Sequence, residues 1–267
     1  MDGKFEPQET LVVQKTTKER KPEATILMGW NWKGERIIQE LDNYVPDQST
    51  LTVVASVEDL DEKIGEIAGE LKNLELKFIE GDITSRKLLE SLNLGQFDHI
   101  ILLCYSDEMD AQKADARTMM TLLHLRDIEQ KLNTDFSIVS EMLDIRNRNL
   151  AEVSQADDFI VSDKLISLML AQVSENKKLN SVFQDIFDPE GAEIYLKPVS
   201  DYVKTGQPVN FNTLIKAGLD RGETAIGYRL VAHAKNSELG YGVHLNPEKS
   251  AEVVFNTGDK IIVLADE

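Results

Sequence analysis

The first residues that could do chemistry lie in the stretch ATILMGWNWKG, Ala24–Gly34. An apolar run ends at Gly29, and Asn31 and Gly34 follow before the helix-forming stretch Glu35–Leu41. A strand, a glycine turn and a helix start can hold a phosphate. Glycine tolerates the sharp turn, and free N–H groups at the helix start face the anion. The dinucleotide fingerprint reads G-x-G-x-x-G, and here Asn31 stands at the middle glycine. A side chain then occupies the approach of a pyrophosphate. Gly81-Asp82, after the third strand, could line an adenine or ribose pocket or form an ordinary turn, and Ser56 follows the second strand beside the same cleft. A fold that holds NAD places a carboxylate about 20 residues beyond the glycines. Counting from Gly34 reaches Ala55-Ser56, Glu58 falls later, and no arginine follows for a 2′-phosphate. Gly29, Asn31, Gly34, Ser56 and Asp82 therefore outline a nucleotide cleft, NAD-like in form, whose dinucleotide signature is weakened.

Acidic residues give a second chemistry. Asp107, Glu108 and Asp110 follow the fourth strand and could help to bind a divalent cation; they equally suit the first turn of a helix. Asp185, Asp188, Glu190 and Glu193 offer oxygen ligands of the kind calcium takes, without the spacing of an EF-hand. A solvated acidic face is the plainer reading. His99, His124, His233 and His244 are scattered, and Cys104 is the single cysteine, so neither a zinc site nor an intrachain disulfide is expected. Cys104 sits in an apolar strand as a small core residue. Ser106 and Ser140 lack a G-x-S-x-G setting. With no nucleophile–base pair and no Tyr-x-x-x-Lys pair, the sequence does not read as an enzyme.

These residues need elements to position them. Thr50–Ala55, Leu76–Ile79, Phe97–Tyr105, Phe136–Glu141 and Phe159–Val161 read as strands after the first. Helical stretches at Glu58–Leu71, Ser85–Leu92 and Asp107 to about Lys131 alternate with them. FDHIILLCY is almost wholly apolar, as strands buried on both faces are. The alternation predicts an α/β fold with a Rossmann-like doubly wound parallel sheet over 24–162. Residues 1–23 read as a linker or N-terminal arm, in which Leu11–Val13 could form one short strand. Two consecutive helices, Asp163–Glu175 and Lys178–Phe187, make a helical crossover over 163–190. The first carries Leu165, Ile166, Leu168, Met169, Leu170 and Val173, more than one stripe, so it has more than one surface to bury. A small α+β lobe follows over 191–267. Its strands are Ala192–Lys197, Thr224–Ala234, Tyr241–Leu245 and Lys260–Ala265, and its short helix is Phe211–Leu219.

The 267 residues carry a formal charge of −18, which disfavours phosphate backbones and anionic membranes, so no nucleic-acid partner is expected. Apolar residues make up 42%, enough for a packed core. The longest apolar runs are strand-sized, and the N-terminus MDGKFEPQET lacks the apolar core of a signal peptide.

Several stretches together point to a family. ILMGWN at Ile26–Asn31, DAQKADAR at Asp110–Arg117, VSEMLD at Val139–Asp144 and ADDFIVSDKLISLMLAQVSE at Ala156–Glu175 come first. FDPEGAEIYLK at Phe187–Lys197 and GDKIIVLAD at Gly258–Asp266 complete the set. In this order they resemble the cytosolic domains of CASTOR and POLLUX type ion channels, a branch of the RCK domains that regulate potassium conductance. The resemblance implies a Rossmann-like N-lobe, a helical crossover and a smaller C-lobe. It implies homo-oligomers, with Leu165, Ile166, Met169, Leu170, Val173, Val182 and Phe183 at a dimer interface and dimers joined into tetramer or octamer rings. It also implies a membrane pore partner, in the same or another chain, and a place on the cytosolic face of a channel; it does not identify the ligand, for which an NAD-like nucleotide and Ca2+ are the candidates. An NAD-dependent oxidoreductase or epimerase on the same fold, and a ligand sensor without a channel, are the alternatives.

Overall fold

The computed structural model describes residues 6–14, 20–134, 136–147, 158–188, 191–234 and 236–266. Their contacts divide them into two compact units, Arg20–Lys177 and Lys178–Glu267, the latter joined by the N-terminal residues. The division falls inside the helical crossover expected over 163–190, between its two helices.

In the first unit, β1 (Ala24–Met28), β2 (Ser49–Ala55), β3 (Leu74–Glu80), β4 (His99–Leu102), β5 (Ser137–Met142) and β6 (Asp158–Val161) form one sheet. Its order is β3-β2-β1-β4-β5-β6, and every pairing is parallel. Helices α1 (Gly34–Tyr44), α2 (Leu60–Ala68), α3 (Arg86–Ser91) and α4 (Ala111–Leu132) connect the strands, and α5 (Ser162–Glu175) follows the last. β1 shows why the sheet needs covering twice. Ile26 and Met28 join a core with Leu122 and Leu125 of α4 and Leu89 of α3. Leu27, on the opposite face, joins Ile38 of α1 and Ile64 and Ile67 of α2. Alternate residues of one strand thus serve two apolar cores, as a parallel sheet requires. The order reverses between β1 and β4, which opens a crevice at the carboxyl ends of these strands.

Two buried aspartates close the connections. Asp42 of α1 accepts the N–H groups of Lys72, Asn73 and Leu74 at 2.9, 2.8 and 2.8 Å. Asp115 of α4 accepts those of Leu143 and Asp144 at 2.8 and 3.0 Å, and Asn147 Nδ2 at 2.7 Å. Each satisfies loop donors that burial would otherwise leave unpaired.

In the second unit, α6 (Leu179–Ile186) leads into β7 (Glu193–Pro198). Then come β8 (Pro208–Asn210), α7 (Phe211–Leu219), β9 (Thr224–Arg229), β10 (Val243–Leu245), β11 (Glu252–Val254) and β12 (Lys260–Ala265). An antiparallel sheet runs β10-β9-β12-β7, and β8 and β11 form a separate ribbon. Phe211, Leu214 and Ala217 of α7 pack with Tyr228, Phe255, Ile261 and Val263. The expected strand Thr224–Ala234 stops at Arg229, because Val231–His233 turn as a 3-10 helix. The arm also differs from expectation. Glu9–Leu11 form a 3-10 turn, and only Val12 pairs, in an isolated bridge to Val203. The Gln8 N–H donates to Thr213 Oγ1 at 2.9 Å, and Arg221 donates to the Val13 carbonyl at 2.9 Å.

Candidate functional site

The crevice is built from the residues after β1, β2, β3 and β4, the end of β5, and one face of α4. Gly29 leaves β1 with φ +85, and a Cβ there would stand 2.1 Å from the Leu103 carbonyl oxygen. Only glycine fits. A Cβ on Gly34 would meet the Trp30 ring at 2.7 Å, so this glycine lets the start of α1 close over the indole. Both glycines answer to contacts within the chain.

Asn31 is fully buried in the turn. Its Oδ1 accepts the Lys33 N–H at 2.9 Å, and its carbonyl accepts the Gly34 N–H at 2.9 Å. Its Nδ2 donates to the Cys104 carbonyl at 2.7 Å and to Glu141 Oε2 at 2.8 Å. The Lys33 ammonium donates to Glu141 Oε1 in a tight ion pair. The Cys104 thiol donates to Glu141 Oε2 at 3.0 Å. Burial pushes the Glu141 carboxyl up, but the hydrogen bonds from Lys33, Cys104 and Asn31 and the lysine charge outweigh it and hold it below its ordinary value. Burial and the neighbouring carboxylate push the Cys104 thiol far up, so it stays protonated and is no nucleophile.

The outer rim is different. Ser56 is exposed, and its N–H donates to the Tyr105 hydroxyl at 3.3 Å. Asp82 accepts from the Thr84 hydroxyl and from Arg117 of α4, at 2.9 and 2.8 Å. The Arg117 guanidinium also lies 4.4 Å over the Tyr105 ring. Partial burial raises the Asp82 carboxyl, and Thr84 and Arg117 together bring it below its usual range. Burial raises the Tyr105 phenol.

The structure thus splits the five expected cleft residues into two groups. Gly29, Asn31 and Gly34 form the glycine turn; Ser56 and Asp82 stand at the rim with Tyr105 and Arg117. Lys33, Tyr105, Arg117 and Glu141 escaped the sequence reading. Glu141 had one visible signal, a charged residue inside a strand, between Ser140 and Met142.

The acidic candidates do not converge. Asp110 accepts the Lys113 N–H at 3.1 Å and pairs with its ammonium at 2.9 Å, capping α4. Asp107 accepts from the Ser106 hydroxyl at 3.1 Å. Glu193 accepts from Tyr195, and Glu190 lies outside the described residues. Among the described residues no three His, Cys, Asp or Glu side chains group as a metal site.

The helices expected at an interface present apolar side chains to solvent. On α5, Leu165, Ile166, Leu168 and Leu170 are between 47% and 66% exposed, and Met169 and Val173 are partly buried. On α6, Val182 is exposed and Phe183 partly buried. Among the described residues no helix is long and apolar enough to cross a membrane.

Comparison with known proteins now decides the family. The TrkA-N domain matches residues 25–162, the whole of the parallel sheet and its crevice. The chain belongs to the TrkA-N domain family. It is homologous to ion channels of the CASTOR, POLLUX and DMI1 type over most of its length. It is 32% identical to a probable ion channel CASTOR of Oryza sativa subsp. japonica, over 79% of this chain and 28% of that protein. It is 31% identical to the ion channel DMI1 of Medicago truncatula, over 91% of this chain and 31% of that protein. The chain therefore spans less than a third of these relatives. Among solved structures, the human SLO3 gating ring matches 92% of this chain and 44% of its own with a TM-score of 0.57 at 14% identity. This likeness shows the fold. A TrkA-N sheet followed by an antiparallel α+β lobe is the architecture of an RCK domain.

Proposed function

We propose that this TrkA-N chain is a ligand-sensing regulatory domain of a cation channel or transporter, and that it acts on the cytosolic side as part of an assembled ring. The carrying observation is α5, on which Leu165, Ile166, Leu168 and Leu170 are exposed in a chain that is otherwise strongly acidic. Such a helix needs a second surface. The homology to ion channels over most of the chain supplies the context, and the pore lies in the same or another polypeptide. Leu165, Ile166, Met169, Leu170 and Val173 pair α5 with a second copy, and Val182 and Phe183 of α6 are assigned to contacts between copies as well. Pairs of chains then close into a tetramer or octamer ring.

Gating follows from differential binding. A ligand biases the pore only by favouring one ring shape over the other. A tenfold preference per site is worth about 1.4 kcal/mol, and the contributions of several sites in one ring add. The exposed rim at Ser56, Asp82 and Arg117 is the place we assign to such a ligand. Native mass spectrometry of the purified chain tests the proposal, because it reads assembly mass and retained ligand together. A dimer, tetramer or octamer is expected, and a strict monomer would contradict the ring.

A further inference from the structure

In a dinucleotide fold the phosphates reach the glycine turn because two provisions are left open. The N–H groups at the helix start are free, and the middle residue of the turn has no side chain. In this chain the middle position carries a side chain, and the first two of the N–H groups are taken from within. Asn31 takes the Lys33 and Gly34 N–H groups, one with its side chain and one with its carbonyl. The side-chain donors of the turn, Asn31 Nδ2 and the Lys33 ammonium, converge on Glu141, and the Cys104 thiol adds a third. An amide, a lysine and a thiol gathered around one buried carboxylate are a donor set suited to an anion. Here the anion comes from the end of β5.

We propose that Glu141 is the built-in ligand of the glycine turn, and that this crevice accepts no nucleotide phosphate. An incoming phosphate would have to take Lys33 and Asn31 from Glu141. It would strand a buried carboxylate and set a second negative group beside it, and both changes oppose binding. The rim at Ser56, Asp82 and Arg117 is untouched by this argument and remains open to a ligand that does not use the turn. The inference goes beyond the regulatory role proposed above and does not depend on assembly.

The two tryptophans of the chain, Trp30 and Trp32, flank Asn31, and the Lys33 ammonium lies 5.3 Å from the Trp32 ring. Intrinsic tryptophan emission therefore reports the turn itself. The experiment titrates the full chain separately with ADP and NAD+, exciting on the red edge where adenine does not absorb. A flat emission across both titrations is expected. A saturable change with either nucleotide would overturn the proposal. Glu141→Gln gives the second arm. It keeps the shape of the side chain and removes the charge, so the Trp emission of the folded variant should shift as Lys33 is released. Folding is checked by circular dichroism. Emission and unfolding midpoint both identical to those of the unaltered chain would show that Glu141 does not hold the turn, and would overturn the proposal as well.

Discussion

Helices α4 and α5 both carry many apolar residues, and they use them in opposite ways. On α4, Ala114, Leu122, Leu125 and Ile128 are buried against the sheet, and even Asp115, Thr118 and Thr121 are enclosed. On α5, Leu165, Ile166, Leu168 and Leu170 remain about half exposed or more. Apolar content alone does not tell a core helix from a contact helix. What differs is the partner. α4 has the strands β1, β4 and β5 beneath it, with Ile26, Ile100 and Ile138 in the same core. Covering the exposed half of each aliphatic side chain on α5 would contribute roughly 1 kcal/mol per residue, which is a driving force for association rather than for folding.

Substitutions can separate the two helices, and on the scale of folding stability their effects should fall in order. Leu125→Ala removes a fully buried side chain from the sheet face and should cost about 2–5 kcal/mol in urea unfolding. A cost below about 1 kcal/mol would mean that α4 is not the core helix described here. Asp115→Ala strands the N–H groups of Leu143 and Asp144 and the Asn147 amide, and should cost about 2–4 kcal/mol. Asp110→Ala removes the cap of α4 and should lower the urea midpoint, by less than Asp115→Ala does. Leu165→Glu with Met169→Glu on α5, the second at a partly buried position, should cost the single chain no more than about 1 kcal/mol, with an unaltered circular dichroism spectrum. If that pair unfolded the lobe, α5 would belong with α4.

Acid should sharpen the contrast between the sealed turn and the open rim. The Glu141 carboxyl is held below its ordinary value in the folded chain. Its contribution is complete above the unfolded carboxylate pKa of about 4.3, and is lost as the pH falls through the folded value. Urea unfolding between neutral and acid pH should therefore show a steeper acid loss for the unaltered chain than for Glu141→Gln. Equal slopes would remove Glu141 from the account of the turn.

Much of the fold was legible in local pattern, and most of the site was not. TLTVVA and FDHIILLCY announce strands because β-branched and apolar residues run unbroken, and the alternation with helices leads to the parallel sheet. β8 and β11 escaped because three residues, PVN and EVV, carry no period. The Gly29 turn could be read because its glycine is a local requirement. The environment of Glu141 could not, since Asn31 lies 110 residues and Lys33 108 residues away along the chain. Arg117 was hidden for the same reason; its partner Asp82 comes from another element, 35 residues earlier. The N-terminal arm reads as polar linker, yet residues 8–13 find backbone and side-chain partners at Tyr202–Lys204, Thr213 and Arg221.

If α5 is a contact helix in a regulatory assembly, breaking its apolar face must change how the chain assembles. Sedimentation velocity of the unaltered chain beside the Leu165→Glu, Met169→Glu variant, at matched concentration, tests it most directly. A dimer or larger closed species is expected for the unaltered chain and a folded monomer for the variant. Identical sedimentation of the two, whether as monomers or as the same oligomer, would contradict it.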